Sequence, residues 1–61
     1  MDLKKLKDIR RTRKISIKTL SKNTGISRQT ISLIERGQAN PTIETLETIC
    51  KELEIEIKFI L

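Results

Sequence analysis

The sequence contains no histidine and a single cysteine, Cys50. Together these scarcities exclude an internal disulfide and a conventional zinc site, the usual staples of a very small domain. No apolar run approaches the roughly 18 residues needed to span a bilayer. The basic N-terminus has no apolar segment behind it, so no secretory signal is expected. Phe59 is the only aromatic residue and Pro41 the only proline. There is no repeat, no low-complexity stretch and no Gly-rich phosphate loop. Cys50 sits at an apolar helix position, and Glu52, Glu54 and Glu56 are spaced like a solvated face. No nucleophile and base stand paired, so no enzymatic activity, cofactor or metal is expected. A lone reduced thiol suits the cytoplasm.

What the chain does have is charge, unevenly placed. Ten of its thirteen basic side chains fall in residues 1–28, against only Asp2 and Asp8. Residues 29–61 hold Arg36, Lys51 and Lys58 against six glutamates. This asymmetry predicts one face suited to a polyanion and another facing solvent or a partner. With 61 residues the chain makes one domain, and such a domain buries only about 60% of the surface of its unfolded chain. A partner chain is therefore an expected source of added stability.

Apolar spacing predicts four helices. The first runs from Asp2, a candidate N-cap, to Arg13, with Leu3, Leu6 and Ile9 inward. Ser16 can cap a second from Ile17 to Asn23, with Leu20 inward, and Gly25 permits a sharp turn. Ser27 can cap a third from Arg28 to Arg36, with Ile31 and Ile34 on one face and Gly37 as its terminator. After a loop ending at Pro41, Thr42 can cap a fourth from Ile43 to Leu53. Its stripe is Ile43, Leu46, Ile49, Cys50 and Leu53. From Glu54 the period changes to two: Ile55, Ile57, Phe59 and Leu61 alternate with Glu54, Glu56, Lys58 and Ile60. That pattern predicts a strand.

The segment from Ile17 to Ile34 reads as helix, glycine turn, helix. Leu20, the small Ser21, Gly25, Ile26, Ile31 and Ile34 stand where two such helices must pack against each other. The third helix then offers its N-terminal side chains outward. Arg28 can pair with both acceptors of guanine and Gln29 with the edge of adenine. Ser32 and Leu33 follow on the same helix, and Leu33 suits a thymine methyl. Phosphate contacts are expected from the helix N-termini at Ser16-Ile17 and Ser27-Arg28, and from Lys18, Arg36, Gln38 and Asn40.

The stretch Gly25-Ile26-Ser27-Arg28-Gln29-Thr30-Ile31-Ser32-Leu33-Ile34-Glu35-Arg36-Gly37, followed by Pro41-Thr42-Ile43-Glu44-Thr45-Leu46, resembles the phage lambda repressors and Cro-type (XRE-like) regulators. The resemblance covers nearly all of residues 3–53. It implies a mainly α, four-helix domain that binds operator DNA, usually as a homodimer, with the third helix in the major groove. It also implies an ion pair between Arg10 and Glu35, holding the recognition helix at its angle. Ile17 stands where many relatives have a Gln that contacts DNA, which leaves only its backbone amide as a candidate.

The organisation expected is a helix-turn-helix domain over residues 1–53, with its motif at about 17–36, and a dimerisation strand over 54–61. A lone strand has two unpaired edges. Two copies could pair as an antiparallel ribbon, with Ile55, Ile57, Phe59 and Leu61 as the dimer interface. This tail pattern is similar to antitoxin repressors that dimerise through C-terminal strands. It implies a toxin protein as an alternative main partner, with DNA binding as autoregulation. The first reading is a repressor that binds a palindromic operator in double-stranded DNA, with no membrane partner.

Overall fold

Three helices open on the same local device. Ser16, Ser27 and Thr42 adopt extended backbone, and their hydroxyls accept the amides of Thr19, Thr30 and Thr45 at 3.0, 3.1 and 3.1 Å. Each capping hydroxyl also donates to the threonine hydroxyl three residues on, at 3.0, 2.8 and 3.0 Å. A cap of this kind is worth about 1 kcal/mol, so local chemistry fixes these three starts. The computed structural model describes residues 2–61. Its helices are α1 (Lys5–Thr12), α2 (Ile17–Thr24), α3 (Arg28–Glu35) and α4 (Ile43–Glu52), followed by a 3-10 turn at Ile57–Phe59.

Helix α1 starts three residues later than the sequence suggests. Asp2 does not cap it; its carboxylate accepts the amide of Lys4 at 3.2 Å while the chain is still turning. The apolar stripes meet in one core of Leu3, Leu6, Leu20, Ile31, Ile34, Leu46, Ile49, Cys50, Leu53 and Ile60. Helix α2 packs on α3 and α4, α1 on α3, and the 3-10 turn on α4. Ile43, expected in the stripe, is 51% exposed because it occupies the first turn of α4, beyond the reach of the core. Burial, reinforced by Glu47, holds the Cys50 thiol above its ordinary pKa, so it packs as a small apolar group.

The expected C-terminal strand does not form, and no strand occurs among the described residues. Glu54 takes a left-handed conformation at φ 59°. The amide of Glu54 bonds to the carbonyl of Lys51 at 3.1 Å, and that of Ile55 to the carbonyl of Cys50 at 3.0 Å, which closes α4. The chain then folds back. Amides of Phe59 and Ile60 reach Glu56 and Ile57 at 3.1 and 3.0 Å, and the amide of Asp2 reaches the carbonyl of Ile60 at 2.8 Å. This path gives those backbone groups partners within one chain, where a solitary strand would leave two open edges. It also reverses the expected facing: Ile60 is buried, Ile55 and Ile57 are half-buried, and Phe59 and Leu61 are each 60% exposed. The ribbon of Ile55, Ile57, Phe59 and Leu61 therefore has no strand to build on.

Lys14 ends α1 in the same manner, at φ 57°, with the amide of Ile15 bonded to the carbonyl of Arg10 at 3.0 Å. A side chain in this conformation costs roughly 1–2 kcal/mol, and glycine avoids most of it. Glu54→Gly is accordingly expected to stabilise the fold by about 0.5–1 kcal/mol, raising the urea midpoint with an unchanged slope. A lowered midpoint would show that the Glu54 side chain makes a contact outweighing the strain.

Candidate nucleic-acid interface

The turn between α2 and α3 is sealed by side chains next to it. Gly25 sits at φ 75° and donates its amide to the carbonyl of Ser21 at 2.9 Å. The Ser21 hydroxyl donates to the carbonyl of Ile26. Thr24 donates its hydroxyl to the carbonyl of Leu20 at 2.7 Å and accepts the amide of Ile26 at 3.3 Å. A Cβ at residue 25 would touch nothing within 4 Å, so glycine is needed there for its backbone angle and not for space. These bonds fix where α3 begins and which way it points.

A second constraint comes from α1. Arg10 and Glu35, both buried, form a two-pronged pair with Nε to Oε2 at 2.7 Å and Nη2 to Oε1 at 3.2 Å. The remaining guanidinium nitrogen, Nη1, donates to the carbonyl of Ile15 at 2.9 Å. One side chain thus joins the end of α1 to the last turn of α3. Among the described residues no buried side-chain polar atom lacks a partner.

With Ile31, Ile34 and Glu35 turned inward, α3 leaves Arg28 and Gln29 exposed and Ser32 and Leu33 half-exposed beside them. Arg36 folds back along the helix, its Nη2 donating to the Ser32 hydroxyl at 3.0 Å. The pair makes one polar ledge, which spacing alone did not reveal. Beyond it, Gly37 at φ 72° and the amide of Gln38, bonded to the carbonyl of Leu33 at 2.9 Å, end the helix and leave Gln38 and Asn40 exposed.

Lys18 is exposed at the start of α2, whereas Ile17 is half-buried against the core. The Ser16 and Ser27 hydroxyls are both engaged in their caps. What those two helix starts offer an anion is mainly the backbone amides of their first turns. Thr19 and Thr30 complete these caps, and their signal in the sequence is the repeated Ser-x-x-Thr spacing.

The exposed cations Lys18, Lys22, Arg28 and Arg36 lie on or beside α2 and α3, whereas Glu44, Glu47, Glu52, Glu54 and Glu56 all lie on α4 and the segment after it. A surface concavity of about 900 Å³ lies between α1 and the tail, and none of its lining residues comes from α2 or α3. Among the described residues no cluster of potential ligands suits a metal ion, and no helix is long and apolar enough to cross a membrane.

Comparison with known proteins finds a family and solved structures that the chain resembles. The sequence profile of a family described as helix-turn-helix matches residues 6–60. The fold is similar to the crystal structure of the restriction-modification controller protein C.AhdI from Aeromonas hydrophila, with a TM-score of 0.89 and 25% identity, over 97% of this chain and 89% of that one. Among curated protein sequences, none matches.

Proposed function

The chain belongs to the lambda repressor-like helix-turn-helix family of DNA-binding transcriptional regulators, and from that premise we propose that it reads an inverted-repeat operator as a homodimer, as a cytoplasmic repressor of the restriction-modification controller type. The observation that carries the reading is the exposed face of α3, held at a fixed angle by the Gly25 turn and the Arg10–Glu35 pair. Lying in the major groove, that helix brings its N-terminal residues to base edges. Arg28 reads guanine and Gln29 adenine, with Ser32 and Leu33 further along the groove. Lys18, Arg36, Gln38 and Asn40, with the first-turn amides at Ser16-Ile17 and Ser27-Arg28, hold the phosphates. The controller class is supported by likeness to C.AhdI along almost the full length of both chains.

The homodimer is supported by Phe59 and Leu61, two large apolar side chains left exposed beside the half-buried Ile55 and Ile57. A homodimer of this kind would read two half-sites about 34–36 Å apart, one turn of the duplex. The alternative of an antitoxin bound chiefly to a toxin protein rested on the strand pattern, and that pattern does not form.

Selection of bound duplexes from a random pool tests the reading by returning operator, symmetry and spacing together. On the selected duplex, Arg28→Ala and Gln29→Ala are each expected to lose about 1–3 kcal/mol while binding to random DNA hardly changes. Lys18→Ala should weaken both by similar factors. Equal losses on both duplexes for Arg28→Ala would make Arg28 a phosphate contact and sink the base-reading role.

A further inference from the structure

Helix α1 carries positive charge that the interface above does not use. Lys4, its N-cap, Lys7 and Arg11 fall at i, i+3 and i+7, one face of a helix, and all three are exposed. Lys14 follows just past the helix end. The ion pairs among the described residues are Arg10–Glu35 and Lys58–Glu56, so no carboxylate forms an ion pair with this stripe. Asp8, although within one turn of Lys4 and Arg11, bridges neither and lines the concavity on the other flank of α1.

The stripe lies beside the recognition helix. Lys7 and Arg11 stand three residues before and one after Arg10, which grips Glu35 on α3. At the other end, Cε of Lys4 is 4.0 Å from where a Cβ on Gly37 would lie, immediately past α3. The cations therefore form a shoulder along α3, on the molecule's basic side. From Lys4 to Arg11 the helix rises about 10 Å. Phosphates of one strand recur about every 3.4 Å along the duplex axis, so a stripe of that length can reach more than one of them.

We infer that the outer face of α1 is a second phosphate-binding surface, engaging the DNA backbone beyond the bases read by α3. It rests on the DNA-reading role proposed for α3. It extends that role by assigning affinity to residues outside the helix-turn-helix segment. Bound this way, the shoulder neutralises backbone charge without reading sequence, and it lengthens the footprint on each half-site.

The test uses a 30-base-pair random-sequence duplex and three forms of the full chain: wild type, Lys7→Gln/Arg11→Gln, and Lys51→Gln/Lys58→Gln. Both double variants lose the same net charge from exposed positions, the second on α4 and the tail. The log–log dependence of affinity on salt is expected to become shallower by about two per bound protomer for the α1 variant, about one for each cation removed. The control variant should keep nearly the wild-type slope. Equal slopes for the two double variants would overturn the inference alone, leaving only a general effect of net charge. A wild-type chain without affinity for the duplex would overturn both the inference and the reading beneath it.

Discussion

Glu35→Ala is expected to destabilise the protein by about 3–5 kcal/mol, enough to unfold much of the population near 37 °C. The magnitude follows from what the substitution leaves behind. The Arg10 guanidinium stays buried between α1 and α3 and loses two of its three bonds. At 0.05–0.15 kcal/mol per residue, a domain of this length has roughly 3–9 kcal/mol in total. Arg10→Ala should be similarly harmful, since it orphans both the Glu35 carboxylate and the Ile15 carbonyl. Replacing both partners, as Arg10→Met with Glu35→Leu, should recover most of the loss, because no charge is then buried alone. Urea unfolding followed by circular dichroism on wild type and the three variants measures this directly. A loss below about 1 kcal/mol for Glu35→Ala would mean that the pair behaves as a solvent-exposed one.

The second large effect separates neighbours in the tail. Ile60→Ala should cost about 2–5 kcal/mol, the usual penalty for emptying a fully packed site. Phe59→Asp should leave the helical content of the folded chain nearly unchanged, because that ring is 60% exposed. What Phe59→Asp should lose is association, seen by light scattering as a halved mass and by gel shift as weakened operator binding. Deleting residues 57–61 would confuse the two effects by removing core and contact surface together. An Ile60→Ala protein as stable as wild type would refute the placement of the tail, and a Phe59→Asp protein that stayed dimeric would remove the C-terminal face as the interface.

These two cases mark what the sequence makes legible. Starts of α2, α3 and α4 could be read because Ser16, Ser27 and Thr42 act within one turn of themselves, where chemistry depends on few neighbours. Gly25 and Gly37 were readable for the same reason. The ends at Lys14 and Glu54 were not, because neither is a residue that favours a left-handed backbone; packing of Ile15 and Ile55 against the core accompanies those angles. The alternation over residues 54–61 misled because a short β-branched run fits more than one structure. Its outcome depends on whether a strand partner exists and whether Ile60 can reach the core. Arg10 and Glu35 are 25 positions apart, and two charges at that separation declare nothing by pattern; family resemblance, not spacing, suggested the pair. The Arg36–Ser32 contact depends on the rotamer of a long exposed side chain, which no sequence pattern fixes.

The bond from Asp2 to Ile60 has a consequence for how the molecule comes into being. Chains are synthesised from the N-terminus and begin to fold as they emerge. Here Leu3 waits for Ile60, so a nascent chain holds an open apolar cleft until Ile60 has emerged. The helices can form early and one by one, but their packing cannot lock in the same sequence. Closure of the core therefore follows the helices as a separate step, and a polysome carrying many copies displays unfinished cores side by side.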